Sequence, residues 1–260
     1  MSDSGAGPVL GEDRDEHGVV TLTLQRPQVR NAFDAALIAA VTEAATRLAA
    51  DDTVRAVVLT GAGAVFSAGA DLNWMLAAGE GDAGTVDDSR AFESMLRAVH
   101  ELPMPVLARV NGHAIAGASG LVACADVAVA VRGAKFGFTE VRLGLVPAMI
   151  SAYVQPRIGV ANAHRYFLTG EVFDADRAHA LGLVHEVCEP HELDEVVAGL
   201  LGTLVAAGPQ GQRATKRLIG RIAATPSPAD SEQLRLETIA RARASEEAQA
   251  RIRTFLADRD

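Results

Sequence analysis

The chain has 260 residues, of which 49% are apolar and 4% aromatic, and its formal net charge is −9. That length suits one large domain or one domain with a short helical appendage, and the apolar share supplies a sizeable core. An acidic chain without a dense Lys/Arg run gains nothing from counterion release, which excludes nucleic acid as a partner.

Residues 1–8 are small and polar and read as disordered. The start MSDSGAGPVL has neither basic residues nor a long apolar stretch, so a secretion signal is not expected and the chain is placed in the cytoplasm. Residues 17–24 alternate apolar and polar positions, the period of a half-buried strand, and Arg26-Pro27 ends it. Asp34 is placed as the N-cap of a helix that carries Leu37, Ile38, Val41, Ala45 and Leu48 at helical spacing. Residues 54–60 are mostly apolar and β-branched, which suits a buried strand. A loop at 66–71 leads into a short helix. Residues 78–88 are rich in Gly and Asp and read as a mobile surface loop.

An amphipathic helix is expected over 89–101, with Met95, Leu96, Val99 and Leu102 on one side. A strand at 106–110, a helix at 117–124 and a strand at 126–131 follow. The run 121–131 is too short to cross a membrane, and Asp126 interrupts it. Alternating strands and helices imply an α/β fold with right-handed crossovers. Beyond Cys188 the pattern turns helical over 191–207, 209–223 and 231–257. The chain therefore divides into a core over 1–188 and a helical region over 189–260, of the kind that packs against another subunit. Cys124 and Cys188 lie in apolar stretches without metal-ligand spacing, so they read as buried free thiols and no metal site is expected.

Two turns carry the chemistry. The first is Phe66-Ser67-Ala68-Gly69-Ala70-Asp71-Leu72. The second is Asn111-Gly112-His113-Ala114-Ile115-Ala116-Gly117-Ala118-Ser119-Gly120. Each follows a buried strand and opens a helix, where free N–H groups face outward with the positive end of the helix dipole behind them. Two such turns converging on one point make an oxyanion hole. Neither has the G-x-G-x-x-G order or the P-loop Lys-Ser/Thr, which disfavours dinucleotides and nucleoside triphosphates.

Together these segments resemble the crotonase, or enoyl-CoA hydratase/isomerase, superfamily. The resemblance extends to Leu24-Gln25-Arg26-Pro27 with Asn31-Ala32, to Phe136-Gly137, Glu140 and Leu143-Gly144-Leu145-Val146-Pro147, and to the stretch from Leu168-Thr169-Gly170 to Val184. It implies a ββα spiral core with a C-terminal helical region that builds a trimer or a hexamer. It puts the oxyanion N–H groups on Ala70 and Gly117 and the catalytic glutamate on Glu140. It puts the acyl-CoA contacts on Val29, Arg30, Ala68, Asp71 and Leu72. The family's second glutamate falls on Gly120, so its carboxylate is missing. Glu140 is then left to move the proton, and burial is expected to raise its pKa.

FSAGADLNWM and FTEVRLGLVPA-x-I look most like the bacterial branch acting on branched glutaconyl-CoA esters. Arg142 and His113 are the candidates for a second substrate carboxylate. Trp74 and Met75 extend the first turn. Phe255 matches an aromatic that packs near the adenine, but Asp258 stands where a Lys often follows, which leaves Lys216 and Arg217 as other sources of positive charge. The resemblance implies an enoyl-CoA hydratase that needs no cofactor beyond the coenzyme A of its substrate. A Δ3,Δ2-enoyl-CoA isomerase with a single Glu and a non-catalytic acyl-CoA-binding protein remain open alternatives.

Overall fold

A computed structural model of the chain describes residues 7–78 and 82–258. Most of the segment read as disordered, residues 1–6, lies outside them. The described chain starts with β1 (Leu10–Arg14) and β2 (Val19–Leu24). β1 is a largely exposed edge strand without apolar alternation, so no periodicity announced it. α1 (Ala35–Ala49) follows, with Asp34 as its N-cap accepting from the Leu37 N–H at 2.9 Å and with Leu37, Ile38, Val41, Ala45 and Leu48 buried. β3 (Ala56–Gly61) is buried along its whole length.

α2 (Leu72–Ala78) and α3 (Asp82–His100) come next. α3 corrects the reading of 78–88 as a loop. Residues 79–81 lie outside the described residues, but 82–88 are the first turns of this helix. Its downstream face buries Met95, Leu96 and Val99, and that packing carries a polar N-terminal turn with weak propensity of its own.

β4 (Val106–Val110), β5 (Ala114–Ile115) and α4 (Gly117–Cys124) form the centre of the molecule, and every residue of α4 is buried. β6 (Val127–Val131), β7 (Lys135–Gly137), α5 (Ala148–Ile158), α6 (Val160–Thr169), β8 (Val172–Asp174), α7 (Ala175–Ala180) and β9 (Glu186–Cys188) complete the core. A six-stranded sheet has the order β1-β2-β3-β4-β6-β9, with only β1 antiparallel to its neighbour. A three-stranded sheet, β5-β7-β8, stands beside it, with β5 and β7 parallel. Cys124 and Cys188 are buried free thiols.

The chain ends in α8 (Leu193–Ala206), α9 (Pro209–Ala223), α10 (Glu232–Ala244) and α11 (Glu246–Ala257). α8 sinks Leu193 and Val197 into the core. α9 to α11 bury no residue of their own. The single helix expected over 231–257 is broken at Ser245, whose hydroxyl accepts from the Ala248 N–H at 3.1 Å and starts α11. Glu247 folds back to cap α9, accepting from the N–H groups of Gln210 and Gly211 at 3.0 and 3.1 Å. No helix among the described residues is long and apolar enough to cross a membrane.

Candidate active site

The first turn is stitched to the chain before α1 by Asn31. This residue is fully buried at φ 55°, and its side-chain amide donates to the carbonyls of Ala62 and Val65 at 2.9 and 2.8 Å. Its side-chain oxygen accepts from the Arg26 N–H at 2.9 Å, and its backbone carbonyl accepts from the Ser67 hydroxyl at 2.8 Å. A parallel bridge then joins Phe33 to Ala70. Phe33 N–H donates to Gly69 O, and Asp71 N–H donates to Phe33 O, both at 2.8 Å. A parallel bridge uses the groups on either side of its central residue. The N–H of Ala70 is therefore left out of the ladder.

The second turn is held by the same logic. Asn111 donates to the carbonyls of Gly61 and Gly63 at 2.9 Å. A second parallel bridge joins Ser67 to Ala114 and so locks the two turns to each other. Gly117 is the first residue of α4, where the intrahelical ladder reaches no N–H. Among the described residues, neither the Ala70 nor the Gly117 N–H has a protein acceptor. The turns touch: a Cβ built on Gly69 would lie 3.5 Å from the Gly117 nitrogen. Gly69 itself has φ 90°, a conformation that glycine adopts at no steric cost.

Strand pairing fixes where Glu140 leaves the sheet. Ile115 of β5 is in register with Gly137 of β7, and the strands are parallel. The chain leaves both at the same end, so α4 starts at Gly117 on one side and a 3-10 turn, Glu140–Leu143, starts on the other. The Glu140 side chain is largely buried, and its Oε2 is shut off from solvent without a hydrogen-bond partner. Burial pushes its pKa above the usual carboxylate range, against a smaller lowering by its own backbone N–H. A carboxyl whose proton affinity is raised by burial has the chemistry of a general acid or base, and unpaired N–H groups that of oxyanion donors.

The acyl-CoA contacts inferred from the sequence gather around Ala70. Ala68 donates its N–H to Arg30 O at 2.9 Å, which puts Val29 and Arg30 beside the turn. Val29, Arg30 and Leu72 are exposed and Ala68 is half-buried. The Asp71 carboxylate is already engaged. One oxygen accepts from the Asn73 N–H at 3.1 Å and the other from the Arg26 guanidinium at 3.3 Å.

This geometry has counterparts in known proteins. A family model described as enoyl-CoA hydratase/isomerase matches residues 14–259. The chain belongs to the enoyl-CoA hydratase/isomerase family. It is 32% identical over 209 residues to a crotonyl-CoA hydratase of Syntrophomonas wolfei, covering 77% of each chain. It is 35% identical over 188 residues to a 1,2-epoxyphenylacetyl-CoA isomerase of Escherichia coli, covering 71% of this chain and 72% of the relative. An enoyl-CoA hydratase structure from Mycobacterium smegmatis superposes with a TM-score of 0.93, at 35% identity and 97% coverage of both chains. The fold is the crotonase-like one that the sequence resemblance implied, and the chain is an enzyme of this family.

Within the family frame, Gly120 is the informative position. It is not a vacant slot. A Cβ on Gly120 would lie 2.1 Å from Cγ2 of Ile150, so α5 fills the space that a side chain at 120 would need. Ile150 is itself 2% exposed. Sequence reasoning missed it, because only tertiary packing brings it to Gly120. It missed Phe92 too, whose ring lies 2.8 Å from a Cβ on Gly117 and packs tilted against Phe33, with ring centroids 5.6 Å apart.

The remaining candidates divide. His113 accepts the Lys135 N–H on its Nδ1 at 3.1 Å, which ties β5 to β7. Arg142 is exposed, lies against Gly170, and makes no ion pair among the described residues. Trp74 lines a cavity of about 280 Å³ with Ile38 and Ala91, between α1, α2 and α3. Lys216 is committed to the core, donating to Asp126 at 2.6 Å and to Met104 O at 3.2 Å, so it does not supply free positive charge. Arg217 lines a cleft on the C-terminal helices with Arg221 and Arg241. Phe255 is exposed on α11.

Proposed function

We propose that the protein hydrates an α,β-unsaturated acyl-CoA. The observation that supports this reading is the half-buried Glu140, its Oε2 shut off from solvent without a partner, leaving the β5–β7 pair at the same end as Gly117, whose N–H, like that of Ala70, is unpaired among the described residues. The thioester oxygen sits between the two N–H groups. As water adds at C3, negative charge develops on that oxygen, and the donors bind this charge better than the neutral carbonyl. Glu140 takes a proton from the water and returns one to C2. Coenzyme A enters as part of the substrate, held along Val29, Arg30, Ala68, Asp71 and Leu72. Because Gly120 carries no carboxylate, Glu140 moves both protons.

The substrate class is a branched glutaconyl-CoA ester. Its second carboxylate needs a cation, and the exposed Arg142, two residues from Glu140 and without an ion pair among the described residues, is the group to meet it. The chain works as a trimer or hexamer with residues 189–260 as the assembling region. Ile219, Leu236, Ile239 and Phe255 expose apolar side chains there that a second copy would cover. A second reading, Δ3,Δ2-enoyl-CoA isomerisation, is favoured by Ile150. An apolar side chain at the second carboxylate's place offers water no partner there, and a single Glu suffices to carry a proton between C2 and C4.

Incubation with 3-methylglutaconyl-CoA and, separately, with a 3-enoyl-CoA separates these readings by product mass. Gain of one water on the glutaconyl ester supports the hydratase. Conversion of the 3-enoyl ester at unchanged mass, with no hydration of the other, sinks it and makes Glu140 an isomerase base.

A further inference from the structure

Ala116 stands at φ 51°, ψ −122°, a conformation that glycine enters freely and alanine does not. The surroundings hold it there from both sides. Its N–H donates to Gly137 O at 2.7 Å, and its carbonyl accepts from the Gly120 N–H at 3.3 Å. Its methyl borders the other turn beside Ile115 O: a Cβ built on Gly69 would lie 2.7 Å from Ile115 O and 3.2 Å from the Ala116 Cβ. Gly69 immediately precedes Ala70, and Ala116 immediately precedes Gly117. The one side-chain atom of Ala116 therefore lies between the residues that aim the two free N–H groups.

The geometry points to Ala116 as a positioning residue, whose methyl, held in a strained backbone conformation against Gly69, sets the spacing between the Ala70 and Gly117 N–H groups. This rests on the proposed use of those groups as thioester-oxyanion donors. A glycine at 116 relieves the strain and removes the side-chain contact between the turns, leaving only backbone contacts such as that of Ile115 O with Gly69, so the donors lose their gauge. Strain kept where glycine would be easier is paid for by what it positions.

The test is the carbonyl stretch of butyryl-CoA, isotopically labelled at the thioester carbon and bound to the full chain. This saturated thioester has no double bond to hydrate, so its band reports polarisation whatever the natural substrate is. The wild type is expected to move the band below its aqueous frequency. Ala116→Gly is expected to return it part of the way and to leave the unfolding midpoint no lower than that of the wild type. On whichever enoyl-CoA the wild type turns over, the same variant is expected to lower kcat about tenfold or more with KM little changed, since small misplacements at the reacting centre are costly. Ala116→Ser keeps a Cβ in place and is expected to keep the wild-type band. An Ala116→Gly band identical to that of the wild type, with unchanged kcat, overturns the inference. A wild-type band at its aqueous frequency overturns the oxyanion reading as well, so the two failures are distinguishable.

Discussion

Ile150 of α5 occupies the space that any side chain at Gly120 of α4 would need. A Cβ on Gly120 would meet Cγ2 of Ile150 at 2.1 Å and its Cβ at 2.6 Å, but its Cα only at 3.5 Å. Restoring a carboxylate at 120 by one substitution is therefore expected to fail. Gly120→Ala should destabilise the protein by about 1–3 kcal/mol through overpacking. Ile150→Ala does not relieve it, because the offending Cβ remains. Ile150→Gly does, so the Gly120→Ala/Ile150→Gly pair should show a favourable coupling of about 1 kcal/mol or more in a double-mutant cycle of urea unfolding. Additive losses would mean that α5 yields at this contact.

Glu140→Gln removes the proton carrier but keeps the shape of the side chain. Turnover is expected to fall by about 10² or more, while acyl-CoA binding measured by calorimetry is retained. An unchanged rate would take Glu140 out of the mechanism.

The same substitution has a pH signature in stability. The folded-state pKa of Glu140 is raised by burial. The folded protein thus holds this proton more tightly than the unfolded chain does. The contribution is fully present below the unfolded value, roughly pH 4, and is lost as pH rises through the folded pKa. Thermal melts should therefore show Glu140→Gln gaining on the wild type as pH rises above about 4. A constant difference across pH would contradict a carboxyl whose proton affinity is raised by burial.

Asn31 supports the first donor turn through two carbonyls at 2.8–2.9 Å, and no solvent reaches it. Asn31→Ala leaves those carbonyls unpaired and places alanine at φ 55°. A loss of about 2–4 kcal/mol in urea unfolding is expected. Turnover in the folded fraction should fall too, because the loop carrying Ala70 loses its tether. Full activity at native-like stability would show that the Phe33–Ala70 bridge alone holds the turn.

Some of this was legible before any coordinates. Asp34 as an N-cap, the apolar stripe of α1 and the bounds of α4 are local patterns, and the structure reproduces them. The donor turns were legible for the same reason: each is one contiguous segment between a buried strand and a helix. The 78–88 segment misled because Gly and Asp lower propensity locally, whereas the apolar contacts that hold α3 lie a turn or more downstream. Lys216 misled because Asp126, 90 residues away, is invisible as its partner in one dimension.

The sequence by itself marked the candidates for the chemistry: two N–H groups that need only small neighbours, and one glutamate. Their order along the chain also determined the family. Only the tertiary structure decided how they meet. Parallel pairing of β5 with β7 sends Gly117 and Glu140 out of the same end of the sheet. Packing of α5 on α4 puts Ile150 against Gly120, and packing of turn on turn puts the Ala116 methyl against Gly69. Burial of the Glu140 carboxyl then shifts its proton affinity. These are distances between segments far apart in sequence, set by close packing and desolvation rather than by local pattern.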